Sequence, residues 1–409
     1  MLTYEDALER VLKETPRPRT ARVTLREALG LVLARRVVAP IDLPRFDNAA
    51  VDGYALRLPT PRLRQAGLPD GAAEPPALTV VGRAEAGRPF GKHLKDGQAI
   101  RILTGAQVPR GANAVVMQEQ ARVIGNRLLV DRAPARGQHI RRRGEDLARD
   151  ARALPAGALL RPQELGLLAA LGHRAMRVYR RPTVAILATG DELQAPGTRL
   201  KPGQIYESNG ELVRALVQQA GAETQALGVV SDDAARLCAI IRRGLDADVL
   251  VITGGVSVGD KDYVREAVLR CGVRQMFWKV DMKPGMPLFF GRRGRTLVFG
   301  LPGNPVSVYV CFNEFVAPAL ARLSGRSWED PYGEPAVLVE DLQMSTSRRT
   351  HFVRVRCSRH HQLVAEPLNG QGSHHLRSLT ETDGWVRLRS DLGPWRAGAP
   401  VLVKPEPSR

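Results

Sequence analysis

Between about residues 180 and 325 the chain alternates β-branched runs with segments of helical periodicity, and this alternation restricts the fold more than any other feature. The runs PTVAILA, ETQALGVV and DVLVITG are followed by helical patterns over Ser208 to Ala220, 233 to 244 and 262 to 271. Repeats of this kind predict a parallel sheet with right-handed crossovers, whose ligands sit at the carboxyl ends of the strands. The loops after those strands are where chemistry is expected.

The flanking sequence has a different texture. Two helices are expected at the start, roughly 3 to 14 and 25 to 36, the second opened by Thr24 and Glu27 at capping-box spacing. From about 37 to 155 short runs such as ALTVVGRA, GQAIRIL and NAVVMQ, broken by Gly and Pro, read as mostly β. Residues 57 to 76 read as a long surface loop, and Pro162 opens a short helix in the first-turn position, where its missing amide costs nothing. Beyond Asp330 alternating runs return and suggest a small β-barrel or sandwich.

The fold class expected is therefore multidomain α/β plus β. A chain of 409 residues exceeds one ordinary core. The division expected is an elongated discontinuous N-terminal domain (1–45 with 140–178), a mostly-β domain (46–139), a parallel-sheet α/β domain (179–326) and a C-terminal β domain (327–409).

Hydrophobic residues are 44% of the chain, with no uninterrupted apolar run of spanning length evident, and MLTYEDALERVLKE is unlike a signal peptide, so a cytoplasmic protein with no membrane partner is expected. The net charge of +18 favours an anionic partner. Arginine is spread along the whole chain and aromatics are only 5%, without a recognition motif, which argues for a solvated basic surface rather than nucleic-acid binding. Cys238, Cys271, Cys311 and Cys357 lie more than thirty residues apart and read as structural.

Three loops in the α/β segment stand out. After DVLVITG come Gly254, Gly255, Ser257 and Asp262; glycines there let a ligand approach the backbone, and the amides opening the next helix favour an anion. After RTLVFG comes LPGNP, with Gly303, Asn304 suited to an N-cap, Pro305 to the first turn, and the Ser307 hydroxyl close behind. After PTVAILA comes TGDEL, whose adjacent Asp191 and Glu192 suit a Mg²⁺-type cation between carboxylates and an anion. Lys279 and Lys283, four apart in WKVDMKPGMP, would share one face if the segment were a strand. In the β segment DNAAVDGYA, RILTGA and RRRGED place Asp52, Thr104 and Asp146 beside glycines, and each alone reads as a turn.

Taken in order, DNAAVDGYA, RILTGA, RRRGED, ATGDEL, GQIYESN, TGGVSVGDKDY, WKVDMKPGMP and LPGNPVS resemble the molybdopterin molybdenumtransferase family, to which the E domain of gephyrin also belongs. The resemblance spans nearly the whole chain. It implies an elongated four-domain homodimer that inserts molybdate into adenylylated molybdopterin and releases AMP with a divalent cation present. It implies that Lys279, Lys283, Ser307, Arg348 and Ser373 hold the oxyanion, and that Thr104, Gly254, Gly255, Ser257, Gly303 and Asn304 line the pterin or phosphate pocket. Asp52, Asp146, Asp191, Glu192, Asp232 and Asp262 become the candidates for holding the cation or orienting water, with Asp191, Glu192 and Asp262 as metal ligands. An upstream molybdopterin adenylyltransferase is the implied protein partner.

The sequence departs from the family at one telling place. KPGMP stands where the family usually reads KPGKP, so Met286 replaces a lysine, a loss of roughly tenfold in oxyanion affinity unless Arg348 or Arg349 supplies the charge. The stretch after GQGSH also differs, which bears on Ser373. Competing readings are tungstate insertion by the same scaffold, a nucleotide-processing enzyme sharing only the α/β domain, and a scaffolding protein; DNAAVDGYA and RRRGED lie outside the α/β domain and argue against the second.

Overall fold

A computed structural model of the chain describes residues 1–58, 77–132, 134–231, 233–255, 263–344, 348–359 and 361–406. Most of the surface loop expected over 57 to 76 lies outside them, as do Asp232, Ser257 and Asp262. The chain divides into two compact units, one of residues 1–23, 28–34 and 177–409 and one of residues 24–27 and 35–176.

The larger unit is built on a six-stranded sheet. Its order is Glu223–Val230, Thr183–Thr189, Val249–Thr253, Thr296–Leu301, Phe289–Arg293, Arg274–Trp278, the first four parallel and the last two antiparallel. The central strands Val249–Thr253 and Thr296–Leu301 are buried throughout, as parallel strands covered on both faces must be. One face packs against the opening helix Tyr4–Glu14, the helix Asn209–Gln219 and the helical run that begins at Pro305. The other packs against Ala234–Gly244 and Tyr263–Arg270. Strand order reverses between Thr183–Thr189 and its neighbour Val249–Thr253, so their carboxyl ends flank a switch-point crevice.

The helical run Pro305–Leu323 is long and apolar enough to cross a membrane, contrary to the expectation from composition, yet 72% of it is buried as a core helix. Mid-run, over Phe312–Val316, it widens to a π-helix that carries the buried Glu314. Its carboxylate accepts from the Tyr4 hydroxyl at 2.8 Å and the Tyr332 hydroxyl at 3.0 Å, with the Lys404 ammonium 3.6 Å away.

The same unit ends in a closed five-stranded barrel, running Thr350–Arg359, Leu363–Pro367, Glu334–Leu338, Pro400–Pro405, Gly384–Arg389 and back to the first strand. Its inner positions, among them Leu338, Val355, Ala365, Val386 and Val403, form one apolar cluster. A short strand from the α/β segment, Met282–Lys283, joins the barrel by pairing in parallel with Thr350 and His351.

The smaller unit holds a six-stranded sheet ordered Ala114–Met117, Gly53–Leu56, Gln98–Ile102, Leu78–Ala84, Arg127–Val130, Ala121–Ile124, with apolar clusters on both faces. Gly53 is required there, because a Cβ would lie 1.8 Å from the Val116 carbonyl oxygen. The short helix opened by Pro162 spans Pro162–Ala170 as expected.

The expected helix over 25 to 36 does not form. Glu27 does accept from the Thr24 amide at 2.9 Å and its hydroxyl at 2.8 Å, but the chain then turns through Gly30 at φ +75°. Val32–Leu33 pairs as a strand with Val178 and Tyr179. A capping-box turn nucleates a helix only if the following residues propagate it, and glycine in mid-segment is among the poorest at doing so.

Candidate active site

A cleft of about 900 Å³ opens in the larger unit, lined by three of the expected loops and a fourth from the barrel. Glu192 comes from the end of the Thr183–Thr189 strand and Lys283 with Met286 from the KPGMP turn. Gly303, Asn304 and Ser307 come from the start of the core helix. The barrel supplies Arg349, Gln371 and Ser373.

Hydrogen bonds join these loops. The Asn209 amide of GQIYESN donates to the Gly303 carbonyl at 2.7 Å. Asn304 occupies the N-cap position, but its side chain does not cap; it donates to the Ser373 hydroxyl oxygen at 2.9 Å. The Ser373 carbonyl in turn accepts the Val306 amide at 3.1 Å. With Asn304 donating to it, the Ser373 hydroxyl keeps its own proton to give to a ligand.

A buried arginine holds the barrel loop. Arg354 is 1% exposed, and its guanidinium donates to the Ser378 hydroxyl at 2.5 Å and the carbonyls of Gly370 and Gly372 at 3.3 and 3.2 Å. Gln371 accepts from the Arg354 amide at 3.1 Å and donates back to its carbonyl at 2.8 Å. The loop from 370 to 373 is thus wrapped around a cation whose hydrogen-bond acceptors are neutral, and burial pushes that guanidinium down to about 10. It remains charged at neutral pH.

The switch point adds a second surface. Gly254 and Gly255 follow Thr253 with φ of +87° and +64°, and a Cβ on Gly254 would lie 2.4 Å from the Thr189 carbonyl oxygen. Side chains are excluded there, so backbone faces the crevice. The buried hydroxyls of Thr189 and Thr253 find no hydrogen-bond partner among the described residues.

Two expected placements need correction. Lys279 does not share a face with Lys283: the strand ends at Trp278, Lys279 takes φ +70°, and Lys283 joins the barrel instead. The Lys279 ammonium sits over the Trp278 ring, 4.1 Å from its centroid, and is absent from the cleft lining. The arginine facing the cleft is Arg349; Arg348 is exposed and outside the lining. Arg349 was expected only as a substitute cation for position 286, and Gln371 and His374 were not singled out; only knowledge of the barrel register brings these three to the cleft.

Asp52, Thr104 and Asp146 belong to the smaller unit. Asp52 accepts from the Thr104 amide at 2.7 Å and its hydroxyl at 2.6 Å, and these bonds hold its carboxyl below the usual range. DNAAVDGYA and RRRGED also meet, since Asp47 accepts from the Arg142 side chain and the Arg143 amide, both at 2.8 Å. Asp146 is exposed.

A parallel sheet with a glycine-walled switch point, joined to a barrel that completes a cleft lined by Lys283, Arg349, Ser307 and Ser373, belongs to the class of α/β proteins that bind ligands at the carboxyl ends of their strands. Comparison with known proteins is specific. Family models match over residues 2–172 (MoeA N-terminal region, domain I and II), 185–322 (probable molybdopterin binding domain) and 337–405 (MoeA C-terminal region, domain IV). The chain is 35% identical to the molybdopterin molybdenumtransferase of Haemophilus influenzae, covering 99% of this chain and 98% of that one. It is 38% identical to molybdopterin molybdenumtransferase 2 of Mycobacterium tuberculosis, covering 97% of each. The solved molybdopterin biosynthesis MoeA protein of Pyrococcus horikoshii superposes with a TM-score of 0.81 at 31% identity over 99% of both chains. The chain belongs to the molybdopterin molybdenumtransferase family.

Proposed function

We propose that this chain inserts molybdate into adenylylated molybdopterin with release of AMP. The observation that carries the proposal is the cleft in which Lys283, Arg349, Ser307 and Ser373 converge. Molybdate is a dianion that must approach an already anionic pterin phosphate, and fixed positive charge offsets that repulsion. Lys283 and Arg349 supply the charge. The hydroxyls of Ser307 and Ser373 donate to the oxyanion, the latter oriented by Asn304. The glycine loop at 254 and 255 and the hydroxyls of Thr189 and Thr253, which have no partner among the described residues, suit a phosphate seated at the switch point.

The family reading brings a Mg²⁺ ion. Among the described residues no three His, Cys, Asp or Glu side chains cluster as a closed metal cage. Mg²⁺ does not need one, since it is commonly bound through one or two carboxylates with substrate phosphates and retained waters. Glu192, which lines the cleft, and its neighbour Asp191 fit that donor set, with Asp262 as the further candidate. Such an ion would neutralise phosphate oxygens while the anhydride is cleaved. The family reading makes the protein a cytoplasmic homodimer supplied by an upstream adenylyltransferase, with Asp52, Thr104 and Asp146 as further candidate site residues.

The test is incubation of the purified protein with adenylylated molybdopterin, Mg²⁺ and molybdate, following AMP. Molybdate-dependent AMP is expected, and AMP release indifferent to molybdate removes the proposal. A parallel arm with tungstate decides which oxyanion the Met286 cleft prefers. Asp262→Asn is expected to abolish AMP release with fold and dimer intact.

A further inference from the structure

His351 stands beside the oxyanion cleft without belonging to its lining. It lies opposite Lys283 in the parallel pairing of Met282–Lys283 with Thr350–Arg359, so the two side chains emerge on the same face about 5 Å apart. Arg349, two residues earlier and just before the strand begins, donates through its guanidinium to Asp281 at 3.1 Å. On the other flank the cross-strand neighbour is Leu388, apolar and buried. The charged groups that bear on the imidazole are therefore Lys283, Arg349 and Asp281.

Only 9% of His351 is exposed, and its Nε2 finds no hydrogen-bond partner among the described residues. A buried imidazole between two cations is held neutral. Burial first, then Lys283 and Arg349, push its pKa below the ordinary histidine range, against the smaller opposing effect of Asp281.

An incoming oxyanion reverses that field. Lys283 and Arg349 are positive and Asp281 and Glu192 negative, so the charges around the cleft cancel before a ligand arrives, and Met286 contributes none. A dianion leaves two negative charges in excess. We infer that His351 takes up a proton when a dianionic oxyanion binds beside Lys283 and Arg349, so that oxyanion binding to this cleft is coupled to protonation. The inference rests on the reading of the cleft as an oxyanion site.

The sign is fixed by linkage. Without anion the imidazole titrates at the lower pKa, and with anion at a higher one. Between these two values binding takes up a proton, and affinity rises as pH falls through the window, by at most about tenfold per pH unit for one proton. Above both values the coupling vanishes.

The experiment is calorimetric titration of molybdate into the full-length protein at pH 6 and pH 8, each in two buffers of different ionisation enthalpy, repeated with His351→Gln. The expected result is net proton uptake at pH 6, close to none at pH 8, and its loss in His351→Gln while molybdate still binds. Binding by the parent without proton uptake, or equal uptake in the variant, overturns the inference and leaves the oxyanion cleft standing. No molybdate binding by the parent removes the oxyanion cleft, and this inference with it. If His351→Gln does not fold, the imidazole Cε1–H resonances of the parent are followed at pH 6; a signal moving to the protonated position on adding molybdate supports the coupling, and none moving overturns it.

Discussion

The guanidinium of Arg349 lies 3.9 Å from the sulfur of Met286, the residue standing where the sequence resemblance leads one to expect a lysine. Asp281, 3.1 Å from the same guanidinium, fixes its direction. The cation missing at 286 therefore has a neighbour able to supply it.

This contact changes what a restored lysine would do. An ammonium at 286 would crowd Arg349 and compete for Asp281, so Met286→Lys is expected to alter molybdate affinity by less than about threefold in either direction. Arg349→Gln is expected to weaken it by about tenfold, on the order of 1 to 2 kcal/mol after desolvation and screening. Molybdate titration of both variants at fixed salt is the check. A tenfold tightening in Met286→Lys would show that Arg349 does not serve the oxyanion.

Arg354 organises the loop that carries Ser373, and its loss would take one donor from each of the Gly370 and Gly372 carbonyls and leave them only their bonds to His375. Arg354→Met is expected to cost about 2 to 4 kcal/mol in urea unfolding and to weaken molybdate binding with it. Arg354→Lys should recover little, because an ammonium cannot reproduce the planar fork of donors. A lysine variant as stable as the parent would mean that charge, not geometry, holds the loop.

Gly285 sits at φ +103° in the KPGMP turn, and a Cβ there would lie 2.5 Å from the Cys311 sulfur. Gly285→Ala is expected to destabilise the protein by about 2 to 4 kcal/mol, combining backbone strain with overpacking. Adding Cys311→Ala relieves only the steric part, so a double-mutant cycle should show coupling of about 1 kcal/mol. Strict additivity would place the two residues out of contact.

Glu314 ties the opening helix to the core through Tyr4 and to the segment before the barrel through Tyr332. Burial first, then the Glu314 charge, push both phenols above their ordinary range, so they stay protonated donors. Tyr4→Phe and Tyr332→Phe are each expected to cost about 1 to 2 kcal/mol, and Glu314→Gln more than either, in thermal or urea unfolding. A neutral Glu314→Gln would show that the two phenols do not depend on the carboxylate.

The parallel sheet was legible because its inner strands are buried on both faces and read as continuous apolar runs between turn residues, as at Val249–Thr253. The strand over ETQALGVV matches Glu223–Val230 residue for residue. Glu192, Lys283, Asn304 and Ser307 were legible as motif residues at strand ends. The Lys279 placement failed because even spacing fixes a face only within one strand, and the chain leaves one sheet for another between Trp278 and Met282. Arg354 was invisible for a related reason. In HFVRVRC an arginine between valines reads as the solvent side of an alternating strand, yet Thr350 to Val355 are all buried.

The two-residue strand Met282–Lys283 is made by the α/β segment but hydrogen-bonded by the barrel. Its consequence concerns modular descent. A protein that inherited only the parallel sheet would keep the glycine crevice at Gly254 and Gly255, but Lys283 would lose its seat and Arg349, Gln371 and Ser373 would be absent. The glycine crevice needs only the parallel sheet, whereas the cleft that seats Lys283 needs the sheet and the barrel in one chain.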